Sequence, residues 1–289
     1  MSMLREAITS AAARLAEAGI DSARTDAELL AAHAAGTSRG RLALLDVADD
    51  AFLDAFLDRF GDAVAQRVRR IPLQHITGTA AFGPVELQVG PGVFIPRPET
   101  ESLLEWALAQ SLPADAVIVD LCTGSGALAI ALATALAAER PDARVIAVDD
   151  DPRALDYARR NASATRVRLI QADVTDPGLL PELIGTVDLV VANPPYIPAG
   201  AQLEPEVGQH DPPHALYGGA DGMAVIGPIA VRAADLLRPG GLLAVEHDDT
   251  TSQATVGVIT ATGAFDDITA HRDMAGRPRF VTARRNARR

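Results

Sequence analysis

Asn193-Pro194-Pro195-Tyr196 sets an amide side chain, backbone carbonyls and a phenol side by side. The six residues before it, Val187-Asp188-Leu189-Val190-Val191-Ala192, are mostly apolar and β-branched and read as a buried strand. The prolines end that strand, since each lacks an N–H, fixes φ and biases its predecessor toward extended geometry. In an open α/β sheet, ligands bind at the carboxyl ends of strands, where this turn stands. The Asn193 side-chain oxygen and the Pro194 carbonyl can each accept one N–H of a planar NH₂ group. Two such bonds fix its plane, direct the nitrogen lone pair and stabilise positive charge developing there. Tyr196 can lie flat against the same group, while Pro195 stiffens the turn. The chemistry this suits is alkylation of an amide or exocyclic amino nitrogen, which sheds its proton afterward and needs no base beforehand. Asn193, Pro194 and Tyr196 are the candidate catalytic residues, and an adenine amino group meets these criteria as well as a carboxamide does.

A second cluster would hold the other reactant. Asp120-Leu121-Cys122-Thr123-Gly124-Ser125-Gly126 closes one apolar run and opens a helical one. Glycines there let backbone approach a ligand, and helix N–H groups point at it. Asp149 ends a second strand, where a carboxylate accepts ribose hydroxyls. Asp173 ends a third and is placed to meet an adenine amino group. Together these describe an adenosine-bearing cofactor, and two kinds stay open. The stretch from Gly124 to Ala129 fits a dinucleotide fingerprint with Asp149 downstream. S-adenosylmethionine is cationic and has no pyrophosphate, so it profits from a carboxylate beside the turn, which Asp120 supplies. The methyl donor is favoured, because no convincing proton-transfer residue for a dehydrogenase follows the fourth strand.

Strands and helices must alternate to bring these ends together. Strands at 117–121, 144–148, 167–172, 187–192 and 242–246 interleave with helices at 127–140, 152–162, 223–237 and 252–262. That pattern predicts a parallel sheet covered on both faces. Two last strands, near 265–271 and 279–283, lack an intervening helix and must pair antiparallel. Upstream, apolar residues at helical spacing predict helices near 4–19, 26–35, 38–45, 51–60 and 63–70. Prolines and glycines then punctuate residues 71–97 into a hairpin linker, followed by a helix over 99–110. The expected organisation is a helical domain at 1–72, a β-hairpin linker at 73–97 and a catalytic domain at 98–289.

Composition removes several alternatives. All 26 basic residues are arginine, and Cys122 is the sole cysteine. Lysine-dependent phosphate loops, Schiff bases, disulfides and cysteine zinc sites are thereby excluded, and no metal is expected. A net charge of −12 argues against a duplex-DNA footprint. Arg67, Arg69 and Arg70, and Arg284, Arg285, Arg288 and Arg289, form local basic patches. These read as solvated surface, with an RNA-containing or acidic partner as the alternative. No apolar run approaches the ~20 residues of a membrane span, and the N-terminus does not read as a signal peptide. A cytoplasmic monomer that contacts no membrane is expected.

The motifs taken together carry a resemblance. Asn193-Pro194-Pro195-Tyr196, the 120–126 turn, Ile71-Pro72-Leu73-Gln74-His75-Ile76-Thr77-Gly78 and Pro91-Gly92-Val93-Phe94-Ile95-Pro96-Arg97-Pro98-Glu99-Thr100-Glu101 look like the bacterial release factor glutamine methyltransferases. This is the HemK/PrmC family. The resemblance implies a class I S-adenosylmethionine-dependent methyltransferase fold, a Rossmann-like α/β sheet of seven mostly parallel strands with the last antiparallel. It also implies a small N-terminal helical bundle and a hairpin linker. The implied reaction moves a methyl group from S-adenosylmethionine to the Gly-Gly-Gln glutamine of class I peptide chain release factors, leaving S-adenosyl-L-homocysteine. By motif position, Asp120, Cys122, Thr123, Gly124, Ser125, Gly126, Asp149, Asp173, Val174 and Asn193 would hold the cofactor. Asn193 to Tyr196 would hold the glutamine, Arg97, Glu99 and Thr100 would shape its pocket, and the N-terminal bundle would hold the factor. Three positions depart from the pattern. Cys122 stands for a glycine, Val174 for an aromatic found in some members, and Glu246-His247-Asp248-Asp249 for Glu-Ile-Gly. Adenine-N6 nucleic-acid methyltransferases share Asn-Pro-Pro-Tyr but would bring a basic groove and a target-recognition segment. A non-enzymatic RNA- or ribosome-associated protein would show a degenerate cofactor site.

Overall fold

The computed structural model describes residues 3–44 and 50–287. They divide into two compact units, one built from residues up to 79 together with 203–210, the other from 80–202 with 211 onward.

The first unit contains α1 (Met3–Glu17), α2 (Ala23–Ala34), α3 (Asp50–Val68) and α4 (Leu73–Thr77). Leu4, Ile8, Ala11 and Leu15 form the buried stripe of α1 at three- and four-residue spacing. They share a core with Leu30 and Ala31 of α2 and Phe56, Phe60 and Val64 of α3. The helices expected at 51–60 and 63–70 are one helix. Gly61 costs only about 1 kcal/mol inside a helix, and buried residues on both sides keep the apolar face continuous. The third expected helix is a 3₁₀ segment, Arg39–Leu44, and residue 45 lies outside the described residues.

Of the Arg67, Arg69 and Arg70 patch, Arg69 is exposed as expected, but Arg67 and Arg70 are not solvated surface. Arg67 is only 7% exposed. Its guanidinium meets Asp26 and Glu206 at 2.7 Å each, and Arg70 meets Glu206 at 2.7 Å and donates to the Gly19 carbonyl at 2.9 Å. Burial alone would raise the Glu206 carboxyl, but the Arg70 and Arg67 guanidiniums hold it down to about 2. These arginines bind the 203–210 segment to the helices. In the second patch, Arg285 donates to the Ala234 and Ala264 carbonyls and Arg284 to that of Gly240. Arg288 and Arg289 lie outside the described residues.

The second unit opens with the hairpin β1 (Thr79–Phe82) and β2 (Val85–Gln88), then α5 (Glu101–Leu108). Phe82 and Leu87 are almost fully buried in the core that α5 joins, so the hairpin is packed structure rather than a loose connector. Alternation follows: β3 (Val117–Leu121), α6 (Ala127–Leu136), β4 (Arg144–Asp149), α7 (Pro152–Asn161), β5 (Arg168–Gln171) and β6 (Val187–Ala192). Then come α8 (Ile226–Leu236), β7 (Leu237–Glu246), α9 (Ser252–Ala261), β8 (Phe265–Arg272) and β9 (Pro278–Arg285).

The seven-stranded sheet has the order β5-β4-β3-β6-β7-β9-β8. β3, β4, β5, β6 and β7 run parallel, and β9 is antiparallel to β7 and to β8, the latter as expected of strands joined by a tight turn. Both faces are covered. Val117, Val119 and Leu121 of β3 pack with α8, while Ile118 packs with α5 and α6, the period-two split of a strand buried on both sides. Each such fully buried side chain contributes ~1.5–3 kcal/mol. The strand order reverses between β3 and β6, whose carboxyl ends carry the glycine turn and the Asn-Pro-Pro-Tyr turn.

Candidate active site

Strand register sets the site. Leu121 of β3 pairs with Val148 of β4 and with Ala192 of β6, and Ala192 pairs with Val245 of β7. Asp149, Cys122, Asn193 and Glu246 are each the next residue along, so they leave the sheet in one row. A cavity of about 180 Å³ is lined by Asp149, Cys122 and Asn193 of this row.

The half of the cavity beside the glycine turn, the candidate cofactor half, is built mainly by backbone. Gly124 and Gly126 have φ of +57° and +88°, and Cys122 has φ +62°. That left-handed conformation costs a non-glycine residue ~1–2 kcal/mol, so the family's glycine would sit here without strain. A Cβ on Gly126 would lie 2.6 Å from Ile130 Cδ1. Thr123 N–H donates to the Val148 carbonyl at 3.0 Å, tying the turn to β4. Asp149 Oδ2 accepts from Gly124 N–H at 2.8 Å and Oδ1 from Asp151 N–H at 3.0 Å. It therefore shapes the turn and keeps one lone pair per oxygen for a ligand.

Asp120 is fully buried. Its Oδ2 accepts from the Thr123 hydroxyl at 2.6 Å and Ala129 N–H at 3.1 Å, whereas Oδ1 has no partner among the described residues. Burial pushes this carboxyl up to about 7. An unpartnered carboxylate oxygen at a cavity wall is a costly arrangement that a cationic ligand relieves. Asp173 is exposed, its Oδ1 accepting from Thr175 N–H and hydroxyl at 2.7 Å, and Val174 is buried at the wall.

The other half, the candidate acceptor half, is built by side chains. Asn193 Nδ2 donates to Thr100 Oγ1 at 3.2 Å, which leaves Oδ1 as the free end of the amide. Tyr196 donates its phenol proton to Glu246 Oε1 at 2.9 Å. The turn is backed by the glycine stretch downstream. A Cβ on Gly218 would lie 2.5 Å from the Pro195 carbonyl oxygen, and one on Gly222 only 2.3 Å from that of Tyr196. A bridge between Ile197 and Tyr217 holds the two stretches together.

Thr123, Gly124, Ser125, Asp149, Val174, Asn193, Pro194, Pro195, Tyr196 and Thr100 all line the one cavity, as do Asp120, Cys122 and Asp173. Gly126, Arg97 and Glu99 do not. Gly126 caps α6 instead, and Arg97 pairs with buried Asp211 while stacking over Phe94 at 5.0 Å. Burial lifts Asp211 to about 6 against that pull.

Several contributors escape the sequence reading. His214 Nε2 lies 3.0 Å from Asp151 Oδ2, both on the cavity wall. Asn161 bonds Gln88 through N–H and carbonyl and also donates to the Ser125 carbonyl, joining hairpin and glycine turn. Glu246 belongs to a stretch that departs from the motif, and only strand register brings it beside Asn193. Only the glycines of Tyr217-Gly218-Gly219-Ala220-Asp221-Gly222 carried a readable signal, as a place where backbone meets backbone.

Residues 6–78 match a family model described as PrmC N-terminal domain, and residues 98–210 one described as Methyltransferase small domain. Over 288 residues, 100% of both chains, the sequence is 64% identical to a Mycolicibacterium smegmatis protein named release factor glutamine methyltransferase. A Mycobacterium tuberculosis protein of the same name is 63% identical over 98% of this chain and 91% of its own. A Streptomyces pristinaespiralis relative named 4-amino-L-phenylalanine/4-methylamino-L-phenylalanine methyltransferase is 40% identical over 91% of this chain and 89% of its own.

Proposed function

We propose, from the premise that this chain belongs to the release factor glutamine methyltransferase family, that it methylates the side-chain amide nitrogen of the Gly-Gly-Gln glutamine of class I peptide chain release factors. The observation that carries this reading is a single cavity walled by the glycine turn after β3 and by Asn193-Pro194-Pro195-Tyr196 after β6.

When bound, S-adenosylmethionine supplies an electrophilic methyl group on a cationic sulfonium and leaves as S-adenosyl-L-homocysteine. The residues present suit it better than a dinucleotide. Asp120, Asp149, Asp150, Asp151 and Asp173 line the cavity and, among the described residues, no arginine does. That lining repels a pyrophosphate and attracts a cation. The unpartnered Asp120 Oδ1 would meet the cationic part, Asp149 would have lone pairs for the ribose hydroxyls, and Val174 would offer an apolar surface to adenine beside Asp173.

Asn193 Oδ1 and the Pro194 carbonyl accept the two N–H bonds of the glutamine amide. They hold its plane and stabilise the charge that grows on nitrogen, each worth ~2–4 kcal/mol by analogy with single oxyanion-hole donors. Burial, the neighbouring Glu246 charge and the hydrogen bond to it keep the Tyr196 phenol protonated, so its ring serves as a neutral wall. The alkylated nitrogen then loses its proton to water. The N-terminal helical unit is assigned the contact with the release factor.

Incubation with labelled S-adenosylmethionine and a release factor, adenine-containing DNA or 4-amino-phenylalanine, followed by mass mapping, tests the reading. Label is expected on the Gly-Gly-Gln glutamine. Label on either other acceptor, with none on that glutamine, refutes it.

A further inference from the structure

Glu246 is fully buried at the carboxyl end of β7, one residue past the Ala192–Val245 pair and so beside Asn193. It is flanked by Tyr196 on one side and Thr100 on the other, with Glu99 and Arg279 of β9 also facing it. We propose that Glu246 is a positioning residue that decides, through the Thr100 hydroxyl, which end of the Asn193 amide faces the acceptor, while holding Tyr196 directly. The inference rests on the methyl-transfer reading.

An ionised carboxylate only accepts, so the hydroxyls of Tyr196 and Thr100 both turn their protons toward it. The Tyr196 bond is 2.9 Å, the Thr100 hydroxyl favours the ionised carboxyl, and Oε2 has no partner among the described residues. With its single proton aimed at Glu246, Thr100 Oγ1 can only accept from Asn193. The observed 3.2 Å contact from Asn193 Nδ2 is that bond. A flipped amide would put oxygen against oxygen at Thr100 and would confront the acceptor NH₂ with a second NH₂. The charge on Glu246 therefore excludes the unproductive flip.

A neutral Glu246 would remove this bias, since its own proton can go to Thr100 and free the threonine hydroxyl to donate to either amide orientation. Burial, opposed by the Thr100 and Tyr196 hydroxyls and by Arg279, pushes its carboxyl up to about 7. The bias thus strengthens as pH rises through neutrality. Glu99 works against ionisation and Arg279 for it.

Glu246→Gln and near-isosteric Thr100→Val test this on the full chain. Each should lower kcat by about tenfold or more while the calorimetric Kd for S-adenosylmethionine stays within about twofold. The double variant should be no worse than the poorer single one, because both break one path. Wild-type kcat should rise with a midpoint near pH 7, and Glu246→Gln should lose that limb. Independently of turnover, the Asn193 side-chain NH₂ resonances, assigned by their loss in Asn193→Ala, should titrate with the same midpoint in wild type and not in Thr100→Val. Unchanged kcat in both variants, additive losses, or amide resonances that ignore pH would overturn the proposal. The NMR readout stands even if the wild type leaves the Gly-Gly-Gln glutamine unlabelled, which separates this failure from failure of the functional reading.

Discussion

The two halves of the cavity are made in different ways. The cofactor half comes from three neighbouring strand ends, and its key bonds are to backbone: Asp149 to Gly124 and Asp151 N–H, Thr123 N–H to the Val148 carbonyl. The acceptor half is assembled from four distant stretches, at Thr100, Asn193 to Tyr196, Gly218 to Gly222, and Glu246. Its bonds run between side chains. A backbone-built half tolerates side-chain change and answers mainly in affinity. A half built by side chains fails when one member shifts by an ångström, and it answers in turnover.

Asn193→Ala is the sharpest way to break this contrast. It should lower kcat by roughly 10²-fold or more, a far larger effect than its effect on S-adenosylmethionine affinity, as single-turnover kinetics and calorimetry would show. Retained turnover would mean that the acceptor half does not orient the nitrogen. Gly222→Ala comes next. Its Cβ would sit 2.3 Å from the Tyr196 carbonyl oxygen at a φ of +81°, so the turn must move. A loss of about tenfold in kcat, without touching any catalytic side chain, is expected from the same assay.

In the other half, pH is the probe. Burial raises Asp120 to about 7, above the unfolded carboxylate value of 3.8. A cationic ligand prefers the ionised form, so affinity for S-adenosylmethionine should climb between pH 6 and 8 in calorimetry, and Asp120→Asn should flatten that climb. The linkage for stability has the opposite sign. The native state holds this proton more tightly than the unfolded chain, so the contribution is present below about 4 and lost as pH rises toward about 7. Wild-type stability should accordingly fall more steeply than that of Asp120→Asn across this window in urea titrations. The smallest effect is Cys122→Gly. Relief of the positive φ should add ~1 kcal/mol, less the unfolded-state entropy of glycine, and move the melting temperature by only about 2 °C. A large loss of cofactor binding would show that the thiol, rather than the backbone, carries this position.

The cofactor half was the more legible of the two. Glycines at Gly124 and Gly126 and carboxylates at Asp120 and Asp149 announce a strand-end turn because each acts within a few residues of its own strand. Helix and strand order followed from apolar periodicity, and the departures were local. Gly61 did not break α3, since a continuous buried face outweighs one residue's propensity. Arg67 and Arg70 read as surface because their partners Glu204 and Glu206 lie more than 130 residues downstream.

Sequence alone therefore determined the alternation that builds the sheet, the rigid Asn-Pro-Pro-Tyr stop and the glycine turn at the end of β3. These rest on covalent geometry, hydrophobic period and local backbone chemistry. Tertiary structure decided which residues share the row with Asn193. Register across β3, β6 and β7 brought Cys122 and Glu246 to its sides, and the fold delivered Thr100 and Gly222. The orientation of one amide depends on these long-range neighbours, because a hydrogen-bonding end is chosen by whatever stands opposite it, however far along the chain that residue lies.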